Sequence, residues 1–188
     1  MEWNPVGQVP SRSYDCSFCG NRVASVKGWH ATVVKNRVTV AAGAVYVCPH
    51  CENPTYFTRQ GYQIPGAPFG AVVSGIDEKG IEELYNEARR AYSGSCYTAV
   101  VLCCRKLLMH LAVNKGAEEG MTFVKYVDFL DSNHFVPPGA RGWVDKIREK
   151  GNEANHEIII MTKPEAEEMI SFCEMLLKIL YEFPAKIK

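Results

Sequence analysis

Two C-x-x-C knuckles, Cys16-Ser-Phe-Cys19 and Cys48-Pro-His-Cys51, constrain this chain more than any other feature. Each sets two thiols on one tight turn. Two such turns facing each other supply the four soft sulfur ligands that tetrahedral Zn²⁺ prefers. Gly20 after the first knuckle and Pro49 inside the second suit the turn, because glycine permits positive φ and proline presets φ. A redox pair and a disulfide pair are the competing readings, and the doubled spacing favours the metal. The interval 21–47 exceeds the usual spacing of roughly 15–20 residues. Its middle reads as strand, with the runs 31–34, 38–40 and 44–47 set around the turn residues Lys35-Asn36-Arg37. Positions 14–59 are therefore expected to form a zinc ribbon, with Cys16, Cys19, Cys48 and Cys51 as the metal ligands and Zn²⁺ as the cofactor.

Composition narrows the class. The chain has 188 residues, 47% hydrophobic and 22% charged, which suits a soluble globular protein with one good core or one small module joined to a larger one. The opening Met1-Glu2-Trp3-Asn4-Pro5 has neither the basic nor the apolar stretch of a secretory signal, and no apolar run approaches the roughly 18 residues of a membrane span. Eight cysteines in such a chain point to a reducing, cytoplasmic setting. A net charge of +0 argues against a broad basic surface, so any nucleic-acid contact has to be local.

The organisation changes along the chain. Residues 1–60 read as the ribbon, and the uncharged Gly/Pro-rich stretch within 61–75 reads as a linker. From about Ile76 to residue 188 the period becomes helical. A first helix is expected over 77–92, stopped by Gly94, and a second over 95–114, apolar nearly all round its first half and so central. Thr122 caps a short third helix, and a fourth starts near Gly139. The last opens on the capping box Thr162-Lys-Pro-Glu165 and is expected to end at Pro184. The fold expected is α+β by segment: a small β ribbon followed by a compact bundle of four or five helices.

The fourth helix carries the densest functional groups. At about 100° per residue, Arg141, Asp145, Arg148, Asn152 and His156 share one edge, opposite Trp143 and Ile147. Guanidiniums and imidazole together can hold a phosphate and move a proton. Charged residues opposite an apolar stripe are also the ordinary solvated face of a helix, and Asp145 with Arg148 reads equally as a helix-stabilising pair.

The segments Tyr85-Asn-Glu-Ala-Arg-Arg-Ala-Tyr92, Val100-Val-Leu-Cys-Cys-Arg-Lys-Leu-Leu108, Trp143-Val-Asp-Lys-Ile-Arg148 and Gly151-Asn-Glu-Ala-Asn-His-Glu157 resemble an uncharacterised bacterial domain-of-unknown-function family of the HEPN superfamily. The resemblance covers about 76–187 and implies an all-α HEPN-like helical bundle. An N-terminal zinc ribbon and a defence or regulatory setting are common in that family. It also implies a homodimer and an RNA or protein partner. Active HEPN ribonucleases carry Arg-Asn-x-x-x-His on a late helix. Here Asn152 and His156 match the asparagine and histidine, but Gly151 stands at the arginine place and cannot stabilise charge building on phosphorus. Arg148, one turn earlier, is the candidate replacement in a metal-independent endoribonuclease. Three functions are thus in view: a zinc-ribbon binding module, that ribonuclease, and a structural adaptor. The glycine favours the first and third.

Overall fold

A computed structural model describes residues 7–139, 141–156 and 160–187, with backbone alone for 39, 141 and 150–156. It divides into two compact units, Met1–Pro68 and Phe69–Lys188.

The first unit is a five-stranded antiparallel sheet in chain order, β1 (Gly7–Asp15), β2 (Arg22–Lys35), β3 (Val38–Val47), β4 (Pro54–Thr58) and β5 (Gln63–Ile64). Strands β2 and β3 form a hairpin closed by Asn36 and Arg37 at φ 51° and 64°, the type I′ pattern whose twist matches that of the strands. One face carries the core. Tyr14, Tyr46 and Phe57 meet edge-on or tilted, with centroids 5.2 Å apart for Tyr14–Phe57 and 5.5 Å for Tyr46–Phe57, alongside buried Val9, Ala44, Cys16 and Cys48. Gly43 is required by this packing, because a Cβ there would lie 2.5 Å from both the Phe57 carbonyl oxygen and the Tyr56 hydroxyl.

The second unit comprises α1 (Lys79–Ser93), α2 (Tyr97–Asn114), α3 (Phe123–Ser132), α4 (Arg141–His156) and α5 (Lys163–Leu177), then a π-helical turn (Lys178–Glu182) and the short α6 (Phe183–Ile187). Val100, Val101, Cys104, Leu107, Leu108, Leu111 and Ala112 are buried on α2, which packs against α1, α3, α4 and α5. Thr122 accepts from the Lys125 amide at the start of α3, and the Thr162–Glu165 capping box is formed at the start of α5. The stripe Met169, Phe172, Cys173, Leu176 and Leu177 is buried as its spacing requires.

The fold class read from the sequence needs correction. The chain is α+β, with a sheet of strands up to 14 residues long followed by five principal helices. The helical part does not form the expected HEPN-like four- or five-helix bundle. What the contacts show is α1, α3, α4 and α5 each packed against α2, which is apolar on too many sides to be covered by two neighbours. Pro184 does not end the last helix either. The π turn shifts the hydrogen-bond partner and the chain re-enters α6, where Pro184 lies in the first turn and its missing N–H is tolerated.

The stretch 61–75 is well tied down. Gln63 and Ile64 form β5. Phe69 and Gly70 carbonyls accept from the buried Arg89, and the Ala71 carbonyl accepts from the Tyr85 hydroxyl at 3.0 Å. The amides of Ala71 and Ser74 donate to Glu174 and Glu182. No helix among the described residues is long and apolar enough to cross a membrane.

Candidate metal centre

The two knuckles are built alike. The Gly20 amide donates to the Cys16 carbonyl and the Glu52 amide to the Cys48 carbonyl, each at 2.9 Å. The Cys16 amide donates to the Asn21 carbonyl at 2.9 Å, and the Cys48 amide to that of Asn53 at 3.0 Å. Position five of each knuckle takes positive φ, 72° at Gly20 and 60° at Glu52. Asparagine follows in both. The Asn21 side chain donates to Cys19 Sγ at 3.6 Å, and that of Asn53 to the Cys51 carbonyl at 3.2 Å.

Strand register brings the knuckles together. Cys19 lies just before β2 and Cys48 just after β3, so pairing of the hairpin sets both turns at the same end of the sheet. Strand β5 holds that end from the side. Gln63 Nε2 donates to the Asp15 carbonyl at 2.8 Å and to Ser17 Oγ at 2.9 Å, while Ser17 donates to the Pro65 carbonyl at 2.5 Å.

The four sulfurs of Cys16, Cys19, Cys48 and Cys51 all lie within 4.8 Å of one another. Cys16 and Cys51 sulfurs are 3.6 Å apart, and those of Cys19 and Cys48 are 3.9 Å apart. A tetrahedral ion with metal–sulfur bonds of about 2.3 Å needs sulfur–sulfur edges of about 3.8 Å. A disulfide needs about 2.05 Å, and all eight cysteines are free thiols. The donor set therefore fits a metal ion.

The thiols differ in their electrostatic surroundings. Burial pushes the Cys16 thiol up to about 12 and raises Cys19 as well. At Cys51 burial also pulls upward, but hydrogen bonding by the Asn53 backbone and side chain and by the neighbouring thiols outweighs it and brings the group to about 7. Burial, reinforced by the sulfurs of Cys48, Cys16 and Cys51, raises the Tyr14 phenol. Four crowded thiolates would repel one another without a cation between them.

The other candidates fare differently. Arg148, only 18% exposed, donates through Nη2 to Asp128 and through Nη1 to Asp145 at 2.5 Å. Its Nε is buried without a partner. Two carboxylates thus already occupy the guanidinium. Asn152 and His156 lie on α4, but their side chains fall outside the described residues. Arg105 stacks over the Phe123 ring with its guanidinium 4.4 Å from the centroid. Cys104 and Cys173 are core residues, the Cys173 thiol pointing at the Cys104 carbonyl at 3.8 Å. A groove of about 630 Å³ is lined by residues of α1 and α2, among them Glu83, Leu84, Glu87, Met109, His110 and Val113.

Sequence reading missed Asn21, Asn53 and Asp128. The repeat C-x-x-C-x-N in both knuckles was the available signal for the two asparagines. Nothing in the spacing of α3 marks Asp128 as the partner of Arg148.

Comparison with known proteins places part of the chain. Residues 86–188, all within the helical unit, match the family described as Domain of unknown function (DUF4145). No curated protein matches the chain, and no solved structure does.

Proposed function

The chain belongs to the DUF4145 family, a domain of unknown function, and from the cysteine cluster that precedes the matched residues we propose that it is a binding module organised by one structural Zn²⁺. Cys16, Cys19, Cys48 and Cys51 hold the ion. The observation that carries this reading is the sulfur cluster, with edges of 3.6 and 3.9 Å on a tetrahedron whose ideal edge for zinc is about 3.8 Å. All four positions are taken by protein sulfur, which is the pattern of a structural site rather than a catalytic one with an open coordination place. Zinc therefore supplies shape, fixing the two ends of the β2–β3 hairpin and the start of β4.

Binding is favoured over catalysis by the state of Arg148. A guanidinium engaged by Asp128 and Asp145 has little to offer a phosphate, and Gly151 offers nothing in its place. The function is thus recognition of a macromolecule, nucleic acid or protein, by a chain that presents its sheet on a metal-fixed frame.

Metal content of the purified full chain tests the reading. One equivalent of zinc per chain is expected, released by a thiol-modifying reagent with loss of the tyrosine near-ultraviolet signal. Metal-free, folded protein with four freely reactive thiols would end it. Incubation with single-stranded RNA is expected to leave the RNA intact, and cleavage lost in His156→Ala would replace binding by catalysis.

A further inference from the structure

Close to the sulfur cluster, two hydroxyls are buried with nothing to bond. Tyr14 is 3% exposed and Thr55 0%, and neither Tyr14 Oη nor Thr55 Oγ1 has a hydrogen-bond partner among the described residues. Buried hydroxyls are almost always paired, so each such orphan needs an explanation. The strands bring both toward the knuckles. Tyr14 stands two residues before Cys16, near the end of β1. Thr55 stands two residues after Asn53, whose carbonyl holds the Cys48 amide. Across β3 and β4, Thr55 pairs with Tyr46, itself two residues before Cys48. The Tyr14 ring meets Tyr46 and Phe57 in the same buried cluster as Cys16 and Cys48, with Cys51 packed against it.

The neighbouring phenol behaves differently. Tyr46 sits among the same rings, and its hydroxyl donates to the Pro10 carbonyl at 3.0 Å. Tyr14 has no such carbonyl. Its surroundings are apolar burial, then the sulfurs of Cys48, Cys16 and Cys51, all of which hold its proton on, while Thr55 pulls the other way. A count of hydrogens sharpens the point. Two neighbouring hydroxyls carry two hydrogens, and a bond between them uses one and leaves the other without an acceptor. Neutral thiols are weak acceptors. Four thiolates around a divalent ion carry a charge of about −2 and accept strongly.

We infer that Tyr14 donates its hydroxyl hydrogen to the metal-bound sulfurs, that of Cys48 foremost, and that Thr55 holds the phenol in place by donating to its oxygen. The inference rests on the zinc site proposed above and adds the residues that set its hold on the ion. Tyr14 is a positioning residue there and not a ligand, because sulfur fills all four places. A hydrogen bond to a thiolate drains charge from the sulfur and eases the mutual repulsion of the four ligands. Asn21 makes such a contact from the exposed side, donating to Cys19 Sγ at 3.6 Å. Cys16 and Cys48 are at 0% exposure, beyond the reach of bulk water, so a donor to them has to come from the protein. Tyr14 and Thr55 are the buried hydroxyls left free to do it.

The test uses the full zinc-loaded chain beside its variants. Tyr14→Phe keeps the ring against Tyr46 and Phe57 and removes only the hydroxyl. Thr55→Val keeps the shape of the side chain, and Tyr46→Phe removes a hydroxyl already bonded to Pro10. Zinc affinity is measured by competition with a chromogenic chelator, and the sulfur-to-metal charge-transfer band is read after exchange for Co²⁺. Tyr14→Phe is expected to weaken zinc binding by about 10- to 100-fold. Its cobalt band is expected at longer wavelength, since a thiolate stripped of a hydrogen bond gives up charge more readily. Thr55→Val is expected to move both in the same direction by less, and the double variant to go no further than Tyr14→Phe, because Thr55 acts through the phenol. Tyr46→Phe is expected to leave both unchanged. A merely stranded hydroxyl gives the opposite result: Tyr14→Phe binds zinc as wild type does and melts higher, an unsatisfied buried group having been removed. That outcome overturns the inference, as does an equal loss of affinity in Tyr46→Phe. Zinc-loaded wild type with an indifferent Tyr14→Phe refutes the hydrogen bond alone, whereas wild type purified without zinc refutes the metal module as well.

Discussion

Cys51→Ala isolates the metal's contribution to the sheet unit. Cys51 is only half-buried, unlike Cys16 and Cys48 at 0% exposure, so trimming it removes little packing. What it removes is one of four sulfurs. Structural zinc in small domains contributes about 10–16 kcal/mol of folding free energy. A quarter of that is about 2.5–4 kcal/mol, or roughly a 60- to 800-fold loss of zinc affinity. The apolar core offers limited compensation, since its buried rings and aliphatics number five, Val9, Tyr14, Ala44, Tyr46 and Phe57, at about 1.5–3 kcal/mol each. Competition with a chromogenic chelator measures the affinity, and near-ultraviolet circular dichroism follows the Tyr14–Tyr46–Phe57 cluster. The variant is expected to surrender zinc at chelator concentrations that leave wild type loaded, and to lose the aromatic signal as it does. The helical core is built from residues between Val73 and Tyr181, so the far-ultraviolet helix signal is expected to persist. Wild-type zinc affinity in Cys51→Ala, or an unchanged aromatic signal after metal removal, would refute the reasoning.

Other perturbations test the remaining structure. Gly43→Ala would drive a methyl into the Phe57 carbonyl and the Tyr56 ring; a loss of about 1–3 kcal/mol is expected by urea unfolding of the zinc-loaded chain. Leu107→Ala, at a fully buried position on the central α2, is expected to cost about 2–5 kcal/mol and to lower the thermal midpoint of the helical signal. Arg148→Ala releases Asp128 and Asp145, both substantially exposed, so the expected cost is about 1 kcal/mol, seen as a shift of a few degrees in melting. A loss of several kcal/mol there would mean that the arginine spans a buried network.

Local chemistry was legible before any coordinates. The Thr162–Glu165 box, the Thr122 cap and the Gly94 stop depend on residues within one turn of each other, so their spacing carries the whole instruction. The same holds for the stripe on α5 and the burial of α2. Pro184 misled because a π turn precedes it and the chain runs on as α6, with Pro184 in its first turn. The edge on α4 was legible in part, and its Asp145–Arg148 pair is formed. Helical spacing shows which residues share a face, but not that Asp128 of another helix would reach across to claim Arg148.

What the amino-acid order settled alone was the sulfur count, the turn chemistry of both knuckles and the division into strand-like and helix-like halves. These are short-range properties, fixed by backbone preference and periodicity. Tertiary structure decided that the two knuckles meet, because only the register of a 14-residue strand against its partner carries Cys19 back to Cys48. It also decided that α1, α3, α4 and α5 each pack against α2. Such outcomes depend on where strands stop pairing and how many sides of a helix are covered, which are sums over contacts distant in the chain.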